Sequence, residues 1–208
     1  MGWYQTYVLP KLIDKACSQP PMQALRARYV PRAAGEVLEI GIGSGLNLQH
    51  YSSSVTGITG LDPAAELTAV AERRASRIEA PVSLVRVSGE EIPAESNRFD
   101  SVVCTWTLCS IPNVYAALRE MHRVLKPGGE LLFIEHGQAP EARVQRWQRR
   151  LEPLWKRIGG GCHLTRRADE LIQDAGFRLA ELDSGYEPGP RWAAFMTHGV
   201  ARKPRRNG

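Results

Sequence analysis

The residues most able to do chemistry lie in one short run, Glu39-Ile40-Gly41-Ile42-Gly43-Ser44-Gly45-Leu46, followed by Asp62 twenty-three residues after Glu39. The run follows the first strong strand and is expected to lead into a helix, and glycines at every second position let a chain turn tightly and let a ligand lie against bare backbone. A carboxylate two residues before the first glycine suits a cationic group. Asp62, with Pro63 beside it, suits a pair of ribose hydroxyls, because a buried carboxylate accepting two such bonds is well satisfied. Leu46 stands where the dinucleotide fingerprint G-x-G-x-x-G places its third glycine, which disfavours a pyrophosphate.

A phosphate-free ligand with a cationic amino-acid portion fits this pattern, and S-adenosylmethionine has that shape. The loop alone also fits another nucleotide or a plain tight turn. Asp62 alone also fits the N-cap of a helix starting at Pro63.

The elements around these residues follow from hydrophobic patterning. Runs at 36–41, 55–61, 82–87, 99–105 and 130–135 read as strands, and helical stretches separate most of them. The segment 112–125 repeats Val114, Leu118, Met121 and Leu125 on one helical face. It opens at Pro112 and stops before the turn Lys126-Pro127-Gly128-Gly129. Alternating strand and helix implies a parallel sheet covered on both faces. The last third differs, with helices near 141–157 and 166–175 and then strands near 177–183 and 192–201. Gly185, Pro188, Gly189 and Pro190 join those strands, too short a link for a parallel crossover, so the final pair must be antiparallel.

With 208 residues, 43% hydrophobic and 24% charged, the chain reads as one soluble globular domain with a small surplus. The net charge of +5 owes much to Arg202, Lys203, Arg205 and Arg206. Four cysteines, Cys17, Cys104, Cys109 and Cys162, show no C-x-x-C spacing, which fits a reduced, cytoplasmic compartment. Cys104, Cys109, Cys162 and His163 include no close ligand pair of the usual kind, so no metal is expected.

Ser88-Gly89-Glu90-Glu91 after the third strand and Leu125-Lys126-Pro127-Gly128-Gly129 before the fifth complete an ordered set. With these, the sequence resembles the class I S-adenosylmethionine-dependent methyltransferases from about Glu36 to Ala201. The resemblance implies an α/β fold, a Rossmann-like seven-stranded, mostly parallel sheet with a C-terminal antiparallel hairpin and helices on both faces. It divides the chain into an N-terminal helical leader or lid (1–35), the methyltransferase domain (36–201) and a basic tail expected to be disordered (202–208). The implied cofactor set is Glu39 at the methionine end, Gly41, Gly43 and Gly45 along the backbone, Asp62 and Pro63 at ribose and adenine, Gly89 and Glu90 by adenine, and Thr105. Ser88 stands where quinone C-methyltransferases carry an Asp for the adenine amino group.

Methyl transfer from a sulfonium is an in-line displacement, so acceptor residues should lie beyond the ends of strands four and five. The fourth-strand loop has no Asn-Pro-Pro-Tyr, which argues against DNA-base and glutamine N-methylation. The clusters 104–110, Phe133-Ile134-Glu135-His136 and 153–166 resemble the thiol S-methyltransferases of the mammalian microsomal type and their soluble bacterial relatives. A thiol is a plausible acceptor, since a few per cent is thiolate at neutral pH and sulfur is strongly nucleophilic. His136 is the candidate general base, with a hydrogen-bonded strand-end histidine as its plainer role. Trp106, Cys109, Trp147, Trp155 and His163 are the candidate acceptor contacts.

Within 141–157, Val144, Trp147, Leu151 and Leu154 make an apolar stripe that reads first as core packing. The alternative is a lid bearing an apolar acceptor pocket, closed on the other side by a leader helix near 22–29 and by Trp3, Tyr4 and Tyr7. The expected partner is a small-molecule acceptor, with no nucleic acid, no stable membrane insertion and at most a weak membrane-surface contact. Methylation of a small lipophilic oxygen, carbon or phospholipid-amine acceptor, or cofactor binding without turnover, are the competing readings.

Overall fold

A computed structural model describes residues 8–205. The leader residues Trp3, Tyr4 and Tyr7 lie outside that range. Helices α1 (Leu9–Cys17) and α2 (Pro20–Tyr29) precede β1 (Gly35–Ile40), β2 (Val55–Leu61), α3 (Ala65–Ala75), β3 (Val82–Val85) and β4 (Phe99–Thr105). There follow α4 (Val114–Val124), β5 (Leu125–His136), α5 (Ala142–Ile158), α6 (Ala168–Asp174), β6 (Arg178–Tyr186) and β7 (Phe195–Arg202).

The seven strands are ordered β3-β2-β1-β4-β5-β7-β6. All pairs are parallel except β5 with β7 and β6 with β7, as the short final link requires. Strand order reverses between β1 and β4, which opens a crevice at their carboxyl ends.

Side-chain alternation assigns the two cores. Leu38, Val102, Leu131 and Phe133 face one way, onto Leu118 and Met121 of α4 and Ile172 of α6. Val37, Val103, Leu132, Ile134 and Val200 face the other, onto Leu25 and Tyr29 of α2. Tyr29 is buried, with its hydroxyl 2.9 Å from His198 Nδ1 of β7. Part of the leader is therefore integral to the fold, with Leu25 and Tyr29 packed in the core on this face of the sheet.

Three further expectations are corrected. No α-helix follows the glycine loop: residues 46–54 leave room only for a 3₁₀ turn at Leu48–His50. The turn 126–129 belongs to an unbroken β5 and is absorbed by a register shift against β4 between Phe99 and Ser101. The tail starts later than 202. Arg202 ends β7, and Lys203 Nζ donates to the carbonyls of His122 and Leu125 and to Asn97 Oδ1, at 2.7–2.8 Å.

Candidate active site

The glycine loop, α1, the β2 end and the segment after β4 enclose a cavity of about 310 Å³ over the crevice. The loop takes its shape from Gly41 and Gly43, at φ +68° and +55°. A Cβ on Gly41 would lie 2.2 Å from Thr107 Oγ1, so glycine is required there twice over. A Cβ on Gly43 would meet nothing closer than 3.9 Å, so this backbone borders open space. Without an α-helix after the loop there is no helix N-terminus to receive a pyrophosphate, which agrees with the reading of Leu46.

Glu39 is the penultimate residue of β1, 1% exposed. Asn47 Nδ2 donates to its Oε1 at 3.0 Å and Tyr51 OH to its Oε2 at 2.7 Å. Burial lifts its pKa to about 7 against those hydrogen bonds and the charge of Arg26. Asn47 also donates to Thr105 Oγ1 at 3.0 Å and accepts from Arg26 Nε at 2.8 Å. Arg26, itself buried, lays its guanidinium 4.5 Å from the Trp106 ring centre. Asn47, Tyr51 and Arg26 escaped the sequence reading. Polar residues in a short post-loop turn and a leader helix carry no motif of their own.

Asp62 ends β2. Its Oδ2 accepts the Gly43 N–H at 2.9 Å and its Oδ1 the Ala64 N–H at 2.8 Å, which leaves a further lone pair on each oxygen. Burial raises its pKa, and the two N–H donors oppose that rise. It is not a helix N-cap, since α3 starts at Ala65 and has no side-chain cap.

The roof is α1. Ile13, Asp14 and Cys17 line the cavity, and Asp14 accepts from Ser44 Oγ and from Arg74 NH1 at 3.2 Å, which fastens α1 to the glycine loop and α3. Trp106 closes the β4 end at φ +50°, a strained conformation for a bulky residue.

Of the expected cofactor residues, Glu39, Gly41, Gly43, Asp62, Pro63, Gly89 and Thr105 line the cavity, and Gly45 and Glu90 do not. Gly45 faces Leu48 and Ala71. Glu90 is turned away, accepting from Ser88 Oγ at 2.9 Å and from the Asn113 N–H at 2.6 Å. Of the expected acceptor residues only Trp106 is in the wall. Trp147 is 51% exposed on the outer side of α5, and Leu154 is 60% exposed, so the stripe is not simply core. The buried residue of α5 is Gln148, which accepts from the Ala139 N–H and donates to the carbonyls of Gly137 and Trp192. Trp155 packs edge-on to Trp192, and His163 lies 3.5 Å from Glu152. His136, buried at the end of β5, points its Nδ1 at Cys162 Sγ, 3.4 Å away, and is not in the cavity wall.

Glu135, beside it, holds the loop after β4. Its Oε1 accepts the Thr107 and Leu108 N–H groups at 3.0 Å, and its Oε2 accepts that of Cys109 at 3.3 Å.

A methyltransferase-domain family matches residues 38–133. A thiol S-methyltransferase of Rattus norvegicus is 37% identical over 170 residues, covering 78% of this chain and 67% of that protein. A phosphatidylethanolamine N-methyltransferase of Cereibacter sphaeroides is 31% identical over 131 residues, 61% of this chain and 64% of that one. The solved N-methyltransferase NodS of Bradyrhizobium japonicum, in complex with S-adenosylhomocysteine, shares the fold with a TM-score of 0.69 at 17% identity, over 92% and 91% of the two chains.

Sheet order, glycine loop and these similarities define a class I S-adenosylmethionine-dependent methyltransferase. More narrowly, the chain belongs to the family that includes the thiol S-methyltransferases. Its cavity suits that cofactor: bare backbone at Gly43, a half-satisfied carboxylate at Asp62 and a buried acid at Glu39 meet a ligand that is cationic at one end and carries ribose at the other.

Proposed function

We propose that the enzyme methylates a small, apolar thiol, giving a thioether. The observation that carries this reading is the 37% identity to a thiol S-methyltransferase over 78% of the chain. When bound, S-adenosylmethionine supplies a methyl group on a sulfonium centre. Glu39 would hold its ammonium end, Asp62 would accept from its ribose hydroxyls, and Ser88-Gly89 would border the adenine. Trp106, Ile111 and Ile13 give the cavity apolar walls that exclude water, and an apolar thiol replaces that water without unpaired polar groups. No proton acceptor from this chain need enter the cavity, because the thiolate fraction present at neutral pH is itself the nucleophile. The acceptor is a small molecule and the compartment the reducing cytoplasm, in keeping with four free cysteines. Among the described residues no helix is long and apolar enough to cross a membrane.

A second reading is a lipophilic amine such as a phospholipid headgroup. The exposed Trp147, Leu154 and Ile158 on α5, with arginines around them, favour it as a surface that meets lipid. A labelled-methyl assay over small thiols, phenols, quinols and phosphatidylethanolamine vesicles separates the two. Turnover of thiols is expected, and turnover confined to the other acceptors would reject the proposal.

A further inference from the structure

One corner of the fold is unused by the cofactor cavity. Cys109, His136 and Cys162 each present one ligand atom there, all within 4.8 Å of one another. They are too far apart in the chain for any spacing rule to join them. Cys109 comes from the loop after β4, His136 from the end of β5, and Cys162 from the Gly159-Gly160-Gly161 loop after α5. We propose that these three residues form a zinc-binding site with one open coordination position.

The geometry is close to what the ion requires. Zinc bonds of about 2.3 Å to sulfur and 2.0–2.1 Å to nitrogen, at tetrahedral angles, place S and N about 3.6 Å apart. Cys162 Sγ and His136 Nδ1 stand at 3.4 Å. All three ligands are held independently of any ion. Glu135 fixes the Cys109 N–H, the β5–β7 ladder fixes His136 opposite Met196, and the His163 N–H donates to the Cys109 carbonyl at 2.8 Å, tying the segment after Gly159–Gly161 to the β4 loop. Arg166 NH1 adds a bond to the Ile111 carbonyl at 2.7 Å on the same loop.

The donor set selects the metal. Two thiolates and an imidazole, with no carboxylate among them, suit zinc and exclude magnesium and calcium. Two thiolates and a neutral imidazole also cancel the ion's charge, which matters where Cys109 and His136 are buried. Three protein ligands leave one position open.

The site stands apart from the acceptor proposal, because a zinc ion here would persist whatever molecule is methylated. Its test is titration of the reduced, chelator-treated full chain with cobalt(II) and then zinc. The expected result is one equivalent of cobalt with thiolate-to-cobalt charge-transfer absorption, displaced by zinc. C109S and C162S should each weaken zinc binding by at least about 100-fold, while C17S and H163Q keep it. Retained S-adenosylhomocysteine binding would show that C162S, at a half-buried position, is folded. The proposal is overturned by the absence of the charge-transfer band. It is overturned equally by binding that survives in both folded cysteine variants, or by a Cys109–Cys162 disulfide with no metal uptake.

Discussion

Two buried glutamates each stand one residue before the end of a strand, Glu39 on β1 and Glu135 on β5, and burial lifts both to a pKa of about 7. Their partners differ. Glu39 accepts from side chains, Asn47 and Tyr51, and borders the cavity. Glu135 accepts from three consecutive backbone N–H groups and sits outside the cavity wall. The same residue type, burial and titration range thus serve a ligand in one place and a loop in the other. A raised pKa marks a carboxylate that has been desolvated, and only its donors tell what for.

The contrast breaks most sharply at Glu135. Glu135→Ala strands three N–H donors, two of them buried, and should cost about 3–5 kcal/mol of stability, read by denaturant or thermal unfolding. Asp62→Ala strands the Gly43 and Ala64 N–H groups and should cost about 1–2 kcal/mol of stability in the ligand-free protein, while weakening S-adenosylhomocysteine binding by about 100–200-fold in calorimetry, the equivalent of two hydrogen bonds to a charged group at about 1.5 kcal/mol each. Gly41→Ala combines positive φ with a contact on Thr107 and should cost about 2 kcal/mol in stability, together with weaker cofactor binding.

Both glutamates bear on pH dependence. Each is held protonated in the fold above its ordinary value near 4.5, so each contributes stability that is full below that pH. The contribution is lost as pH rises through about 7. Unfolding of the ligand-free protein should therefore show falling stability between pH 4.5 and 7.5. Saturating S-adenosylhomocysteine should flatten only the part due to Glu39, whose ionised form its ammonium favours.

Sheet, crevice and carboxylate ends were legible in the chain because they rest on local signals: period-two runs, a G-x-G-x-G loop, and Asp62 at a strand end. Residues whose roles depend on tertiary approach were not. Asn47 and Arg26 reach Glu39 only after α2 folds over the sheet. Glu135 entered the sequence reading only as part of the Phe133–His136 cluster near the end of a strand, and its side chain turns to the β4 loop. The stripe on α5 misled for a related reason. Periodicity identifies an apolar face but not what covers it, and here Gln148, not Trp147, is the buried residue.

The most direct measurement is S-adenosylhomocysteine affinity by calorimetry at pH 6 and pH 8 for the wild type and Glu39→Gln. If Glu39 serves the ligand, the wild type binds about tenfold tighter at pH 8, where the carboxyl is ionised. The variant then loses that dependence and is about tenfold weaker at pH 8, with its stability little changed. A variant that binds as tightly as the wild type at pH 8 and keeps the same pH slope would contradict the account.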